Sequence, residues 1–219
     1  MVRLSCRTGR KGAEPLKWQA VDSETLNQIY GEPAPASIVK EKDRLIPSYR
    51  RVVEASPFFA IASVGPDRLD CSPRGERGGA VIIADERTLI IPDWRGNNRI
   101  DTLRNIVGDP RVALLFLVPG SATTFRVNGQ AIVSCDPDLL DSLQQNGKTP
   151  RSAIVVSIQT AFFQCARAVM RADLWNPAHF SEAETLPTAG QMLAEASDER
   201  EGGEAYDRAW PERAARTLF

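Results

Sequence analysis

Two turns in this 219-residue chain place a guanidinium group where backbone N–H groups also lack obvious partners. In the first, Ser72-Pro73-Arg74-Gly75 closes an extended segment. In the second, the apolar run Leu89 to Ile91 stops at Pro92, and Asp93, Gly96 and Asn97 form a turn. Ile100, Leu103 and Ile106 then recur at helical spacing. The pattern predicts a strand, a polar turn and a helix, with Asn98 and Arg99 at the helix start. The first N–H groups of a helix have no internal acceptors and carry the positive end of its dipole. An arginine there disfavours the helix unless an anion occupies the site. The alternative is an exposed arginine beside a cap, and spacing alone fits both readings. Two guanidinium groups with amide and backbone donors suit a dianion such as phosphate, each charged hydrogen bond contributing about 1.5–3 kcal/mol.

A third candidate is the run Thr124 to Gln130. Alternation puts Thr124, Arg126, Asn128 and Gln130 on one face, with Phe125 and Val127 on the other. That polar face suits either a polar ligand edge or plain solvent. Gly129 inside the strand marks a bulge or a close backbone approach. His179 is the single histidine, so no multi-histidine metal site exists, and the cysteines lack metal-ligand spacing; no metal is expected. A catalytic triad would need His179 without any nucleophile-elbow signature nearby, so it reads as a surface histidine. The run Arg74 to Gly79 resembles RNA-binding repeats but occurs once and has no aromatic partners. There is neither a Walker loop nor a Gly-x-Gly-x-x-Gly fingerprint.

Composition narrows the classes further. Hydrophobic residues make up 42% and charged residues 25%, which is ordinary for a globular domain. A formal net charge of −1 favours neither nucleic acid nor an anionic membrane as partner. Only five of the 27 basic residues are lysine. The rest are guanidinium, which either suits planar recognition of phosphate and carboxylate or reflects codon bias. Cys6, Cys71, Cys135 and Cys165 are scattered and read as buried free thiols of a reducing compartment. The longest apolar run, Val112 to Val118, is too short to span a bilayer, and no segment of signal-peptide type precedes the core. The expected location is the cytoplasm.

The elements that must position these residues fall into four stretches. Residues 1–16 read as a disordered arm, and 17–56 as N-terminal helices, one capped by Asp22 and ended by Gly31. A second opens at Ser37 and is kinked or split by Pro47. Residues 57–176 hold about six strands close in sequence, with single helices inserted: 58–64, 69–73, a 79–91 hairpin, 111–118, 123–134 and 153–158. Residues 177–219 read as C-terminal helices or an arm, with a helix over 188–196, a linker and a last amphipathic helix. The order implies a mainly β, α+β protein, as an antiparallel barrel or a sheet with appended helices.

The succession FFAIAS, DCSPRG, TLIIPDWRGNNRIDTLRNI, PRVALLFLVPG and FRVNGQAIVS resembles the pyridoxamine 5′-phosphate oxidase-like FMN-binding split-barrel family. It looks closest to a bacterial branch whose core ends in a segment like Phe163 to Trp175. The likeness runs from Ile38 to Trp175 and more weakly beyond. It implies a six-stranded antiparallel FMN-binding split barrel, a homodimer with FMN sites at the interface, and a small-molecule substrate. Carried over, Arg74 is the basic residue ending the first FMN strand, and Ile91 and Pro92 form the strand end beside the flavin ring. Asn98 and Arg99 are the pair on the phosphate. Thr124 and Arg126 reach the ring from the dimer partner, and Arg171 and Trp175 close the pocket. Two departures stand out: the branch more often has histidine at Gln164 and lysine at Arg167. The Arg-x-His segment with which true vitamin B6 oxidases grip substrate is also absent, so B6 oxidation is not implied. The leading expectation is an FMN-dependent oxidoreductase, with Arg126 as a donor to the N1–C2=O edge of the ring. The rivals are a flavin-binding carrier or sensor without turnover, and a split barrel that binds haem or a deazaflavin.

Overall fold

The computed structural model describes residues 19–217, divided after Val39 into two compact units. The arm expected over 1–16 lies outside the described residues. In the first unit, α1 (Ser23–Tyr30) is capped by Asp22, whose carboxylate accepts the Thr25 N–H at 2.9 Å. It ends at Gly31, which takes φ +65°. The helix expected from Ser37 opens earlier: α2 is Pro35–Val39. Pro47 splits the stretch and becomes the first residue of α3 (Pro47–Glu54) in the second unit, where its missing N–H costs nothing.

The second unit is built on one antiparallel sheet. Its strands are β1 (Phe58–Val64), β2 (Leu69–Gly75), β3 (Ile82–Asp85), β4 (Thr88–Asp93), β5 (Arg111–Leu117), β6 (Phe125–Ser134) and β7 (Ser152–Phe163). They lie in the order β2-β1-β5-β6-β7-β4-β3. The sheet therefore has seven strands, against six expected. β3, four residues long and paired with β4 at the sheet edge, is the first arm of the hairpin expected over 79–91, so the count of six falls one short although the segment itself is expected. β7 also runs five residues past its expected end at Ile158. Outward-facing Gln159 breaks the apolar run in the sequence without ending the ladder.

Strand alternation builds the core. Phe59 and Ile61, Leu89 and Ile91, Leu114 and Phe116, Phe125 and Val127, and Ile154 and Val156 all face inward and are almost wholly buried. Each such side chain contributes about 1.5–3 kcal/mol relative to exposure. Helix α3 adds Tyr49 and Val53 to this core. The Tyr49 ring meets Phe125 edge-on at 5.0 Å, and its hydroxyl donates to the Lys40 carbonyl.

Helix α4 (Asp101–Gly108) is fastened to β2 and β1 by polar side chains. The buried Thr102 hydroxyl donates to Asp70 at 2.8 Å and lies 3.1 Å from the Ser72 hydroxyl. Asn105 donates to the buried Ser63 at 3.0 Å. Next come α5 (Pro137–Ser142), capped by Asp136, and α6 (Arg167–Ala172). A 3-10 stretch (Pro177–Thr185) leads to α7 (Ala189–Ala196) and α8 (Gly203–Thr217). α6 and the 3-10 stretch carry no long apolar period, which is why periodicity missed them. Thr188 and Gln191 form a reciprocal capping box on α7, and Asp207 of α8 accepts the Gly190 N–H at 2.8 Å. Cys71, Cys135 and Cys165 are free thiols, as expected, but exposed rather than buried. Cys71 shows why: it takes an outward position on the edge strand β2. Cys6 lies outside the described residues. Among the described residues no helix is long and apolar enough to cross a membrane.

Candidate functional site

The site begins with one inward position on β2. Arg74 is paired in register with the fully buried Phe59, so its side chain points to the same inner side. Its Nη2 lies 3.6 Å from Oδ1 of Asp93, at the far end of β4. That contact joins strands standing five places apart in the sheet order. Another of its donors, Nε of Arg74, is buried and has no hydrogen-bond partner. Leaving a buried donor unpaired costs about 1–3 kcal/mol, so such an atom calls for an acceptor.

Around this guanidinium lies a cleft of about 580 Å³, bordered by Arg74, Arg77, Ile91, Pro92, Asp93 and Arg95. That is the size range of sites for small ligands and cofactors. One wall is the loop after β2, where Gly78 and Gly79 take φ +99° and +128°, a region closed to most side chains. Asp93 is only 19% exposed at its side chain. Burial pushes its carboxyl above the usual carboxylate range, and Arg74 and Arg151 pull it only part of the way back.

The second arginine turn behaves differently. Arg99 donates from Nε to Asp101 at 2.6 Å and does not border the cleft. That bond holds the Asp101 carboxyl below its ordinary value. Asn98 accepts from Arg151 at 3.0 Å, beside a smaller recess of about 310 Å³ lined by Trp94, Arg95, Lys148 and Arg151. The turn itself is strained: Asn98 takes φ +59° and Ile100 φ +49°, and Ile100 caps α4 with no side-chain bond. A β-branched residue in the left-handed region is a genuine outlier, and such strain clusters at functional sites. The Thr102–Ser72 contact brings the first turn of α4 within two residues of Arg74, about 6–7 Å along the strand.

Of the other expected residues, Ile91 and Pro92 share the cleft with Arg74. Thr124, Arg126, Arg171 and Trp175 do not border it. Arg126 pairs with Leu115 and Phe162 on the outer side of the sheet, its guanidinium 5.5 Å over the Phe162 ring. Thr124 accepts the Gln164 N–H just before β6. Trp175 donates from its indole to the Ser121 carbonyl at 2.7 Å, and Arg171 is exposed in the last turn of α6. Sequence reasoning missed Arg77, Asp93 and Arg95. Arg77 lies in the glycine-containing run set aside as a lone RNA-binding-like repeat, and Asp93 read only as a turn former.

A model described as pyridoxamine 5′-phosphate oxidase matches residues 45–165, more than half of the chain and all of the larger cleft's lining. None of the curated proteins matches. Among solved structures, HupZ of Group A Streptococcus is 12% identical at a TM-score of 0.46, over 55% of this chain and 94% of that one. A proposed pyridoxamine 5′-phosphate oxidase from Lactobacillus delbrueckii is 17% identical at 0.46, over 55% and 95%. An F420 reductase is 18% identical at 0.39, over 55% and 98%. At these values the likenesses carry no argument about ligand or activity.

Proposed function

The chain belongs to the pyridoxamine 5′-phosphate oxidase family, and from that premise we propose that it is an FMN-binding flavoprotein, an FMN-dependent oxidoreductase acting on a small molecule. The observation that carries this reading is the buried, unpartnered Nε of Arg74 in a cleft of about 580 Å³. A phosphate oxygen is the acceptor that atom lacks, and a guanidinium–phosphate bond is the strong, charge-assisted kind. The residues present therefore fit the cofactor. Arg74 would hold the phosphate, with the N-terminal donors of α4 assisting and Asn98 and Arg99 in the turn beside it. Ile91 and Pro92 would offer the apolar end of β4 to the ring. Bound FMN would supply hydride or electron transfer, chemistry that belongs to the cofactor. The protein's part is to bind, orient and exclude water, and no side chain need act as general acid or base.

The proposal includes a split barrel assembled as a homodimer, with each FMN site drawing on both copies. Barrel curvature is supported by the Arg74–Asp93 contact across the sheet. The dimer is supported by the outer side of the central strands, where Leu115, 36% exposed, lies beside Ala60, with Ala62 and Ala113 paired next to it, and Ile132 is 63% exposed farther along β6. Arg126 stands on that same side, so it and Thr124 are assigned to the partner's ring, with Arg171 and Trp175 closing the pocket. The test is the visible spectrum of the purified full chain, followed by FMN titration. A flavin band at about one equivalent per chain is the expected result. A haem or deazaflavin spectrum, or no FMN uptake, would overturn the proposal. A flavin that NAD(P)H cannot reduce would make the protein a flavin-binding module without turnover.

A further inference from the structure

Asp93 occupies the very cleft in which Arg74 would meet a phosphate. Its Oδ1 lies 3.6 Å from Nη2 of that guanidinium, and its side chain is only 19% exposed. An oxygen accepting from the vacant Nε of Arg74 would stand roughly 4–6 Å from the Asp93 carboxylate, given ordinary hydrogen-bond lengths. Two anions would then face each other across one guanidinium. The other charged groups bordering the cleft are Glu76, Arg77 and Arg95. Just before β7, Arg151 gives its backbone N–H to the Asp93 carbonyl and donates from its side chain to Asn98. Residues 142–145, which close the cleft from the α5 side, are uncharged. Arg74 forms the ion pair with Asp93 across the cleft, and Arg151 also acts on its charge.

We propose that the cleft binds a phosphate-bearing ligand together with one proton, taken from solvent onto Asp93, so that Asp93 sets the charge state of the anion the site accepts. The inference rests on the reading of Arg74 as the phosphate ligand. Burial already disfavours the charged form of Asp93, and an arriving anion acts in the same direction. Once protonated, the carboxyl changes from competitor to donor: its O–H can be given to a phosphate oxygen. No bond of the ligand breaks, and the only species gained is the proton. The site thereby selects against dianions as pH rises, a discrimination a cleft lined by arginine alone would not show.

The experiment titrates FMN and riboflavin into the full-length chain, freed of bound flavin, for the wild type and Asp93→Asn between about pH 5 and pH 8. The phosphate's own second ionisation, near about pH 6, affects both proteins and cancels in the ratio of their dissociation constants. The expected ratio is smallest at the acid end. It rises by up to about tenfold per pH unit and reaches at least about tenfold in favour of Asp93→Asn at the alkaline end. Riboflavin should bind both proteins alike. Calorimetry at about pH 8 in two buffers of different ionisation heat should show more proton uptake with FMN in the wild type than in Asp93→Asn, or than in Asp93→Ser if the amide variant does not fold, and none with riboflavin. A flat ratio, or absence of that extra proton uptake, overturns the role of Asp93. If Arg74→Ala leaves the preference for FMN over riboflavin unchanged, the phosphate reading itself falls. If that preference is lost while the ratio stays flat, only the Asp93 inference falls.

Discussion

Alanine at position 74 and alanine at position 99 should have unequal effects on FMN binding, although both arginines occupy turns that suit a phosphate. Arg74 carries a buried donor with no acceptor, and its other contact is a long one, 3.6 Å to Asp93. A charged hydrogen bond from Nε contributes about 1.5–3 kcal/mol, so Arg74→Ala should weaken FMN by about ten- to a hundredfold. Arg99 is already bound to Asp101 at 2.6 Å and its side chain is 67% exposed. To serve a ligand it must give up that exposed pair, and what it gains is screened by solvent. Arg99→Ala should therefore cost no more than about fivefold. Riboflavin has no phosphate and should be nearly indifferent to either change. The assay is quenching of flavin fluorescence at equilibrium, with both flavins titrated into each variant. Equal losses for Arg74→Ala and Arg99→Ala would show that the turn rearranges around the ligand and releases Arg99 from Asp101. Equal losses of FMN and riboflavin in Arg74→Ala would show that Arg74 shapes the cleft rather than holding the phosphate.

Gly129→Ala should destabilise the chain by about 1–3 kcal/mol or more, because its Cβ would overlap the Ser157 carbonyl oxygen at the β6–β7 bulge; an unchanged denaturation midpoint would refute this. His179 bonds Glu182 and Asp173, which raise its pKa above the ordinary histidine value of about 6.5. Its contribution to stability is thus fully present below that value and fades as pH rises through the folded pKa. As the single histidine, it gives one set of imidazole resonances, and an NMR titration midpoint at or below about 6.5 would refute the clasp. Light scattering of the flavin-loaded protein should give twice the chain mass, since an obligate interface of roughly 2,000 Å² or more does not dissociate at micromolar concentration. A monomer carrying full flavin would remove both the dimer and the shared site.

The parts of the fold legible in the sequence are those with a local cause. Alternation in 58–64 and 125–134 marks the faces of β1 and β6, and Asp22, Gly31 and Thr188 act as caps through atoms a few residues away. The β3–β4 hairpin is legible too, from the turn Asp85-Glu86-Arg87 between two apolar runs, although the expected count of six takes it as less than two strands. Ile100 was assigned to the apolar stripe of α4, yet it sits half-exposed in a left-handed cap, and Thr102 takes the buried place through Asp70 and Ser72. The site divides along the same line. Arg74 could be found because it stands in the Ser72-Pro73-Arg74-Gly75 turn that closes an extended segment. Asp93 could not, because only the curl of the whole sheet brings β4 back to β2. Arg99 is the instructive case. Its neighbour two places on, Asp101, is drawn to the first turn of the helix by the dipole, and there it captures the guanidinium that spacing had assigned to a phosphate. Residue type and spacing show which cations are able to hold an anion. Which of them still has a donor to give depends on partners already engaged, and in this chain that distinction separates Arg74 from Arg99.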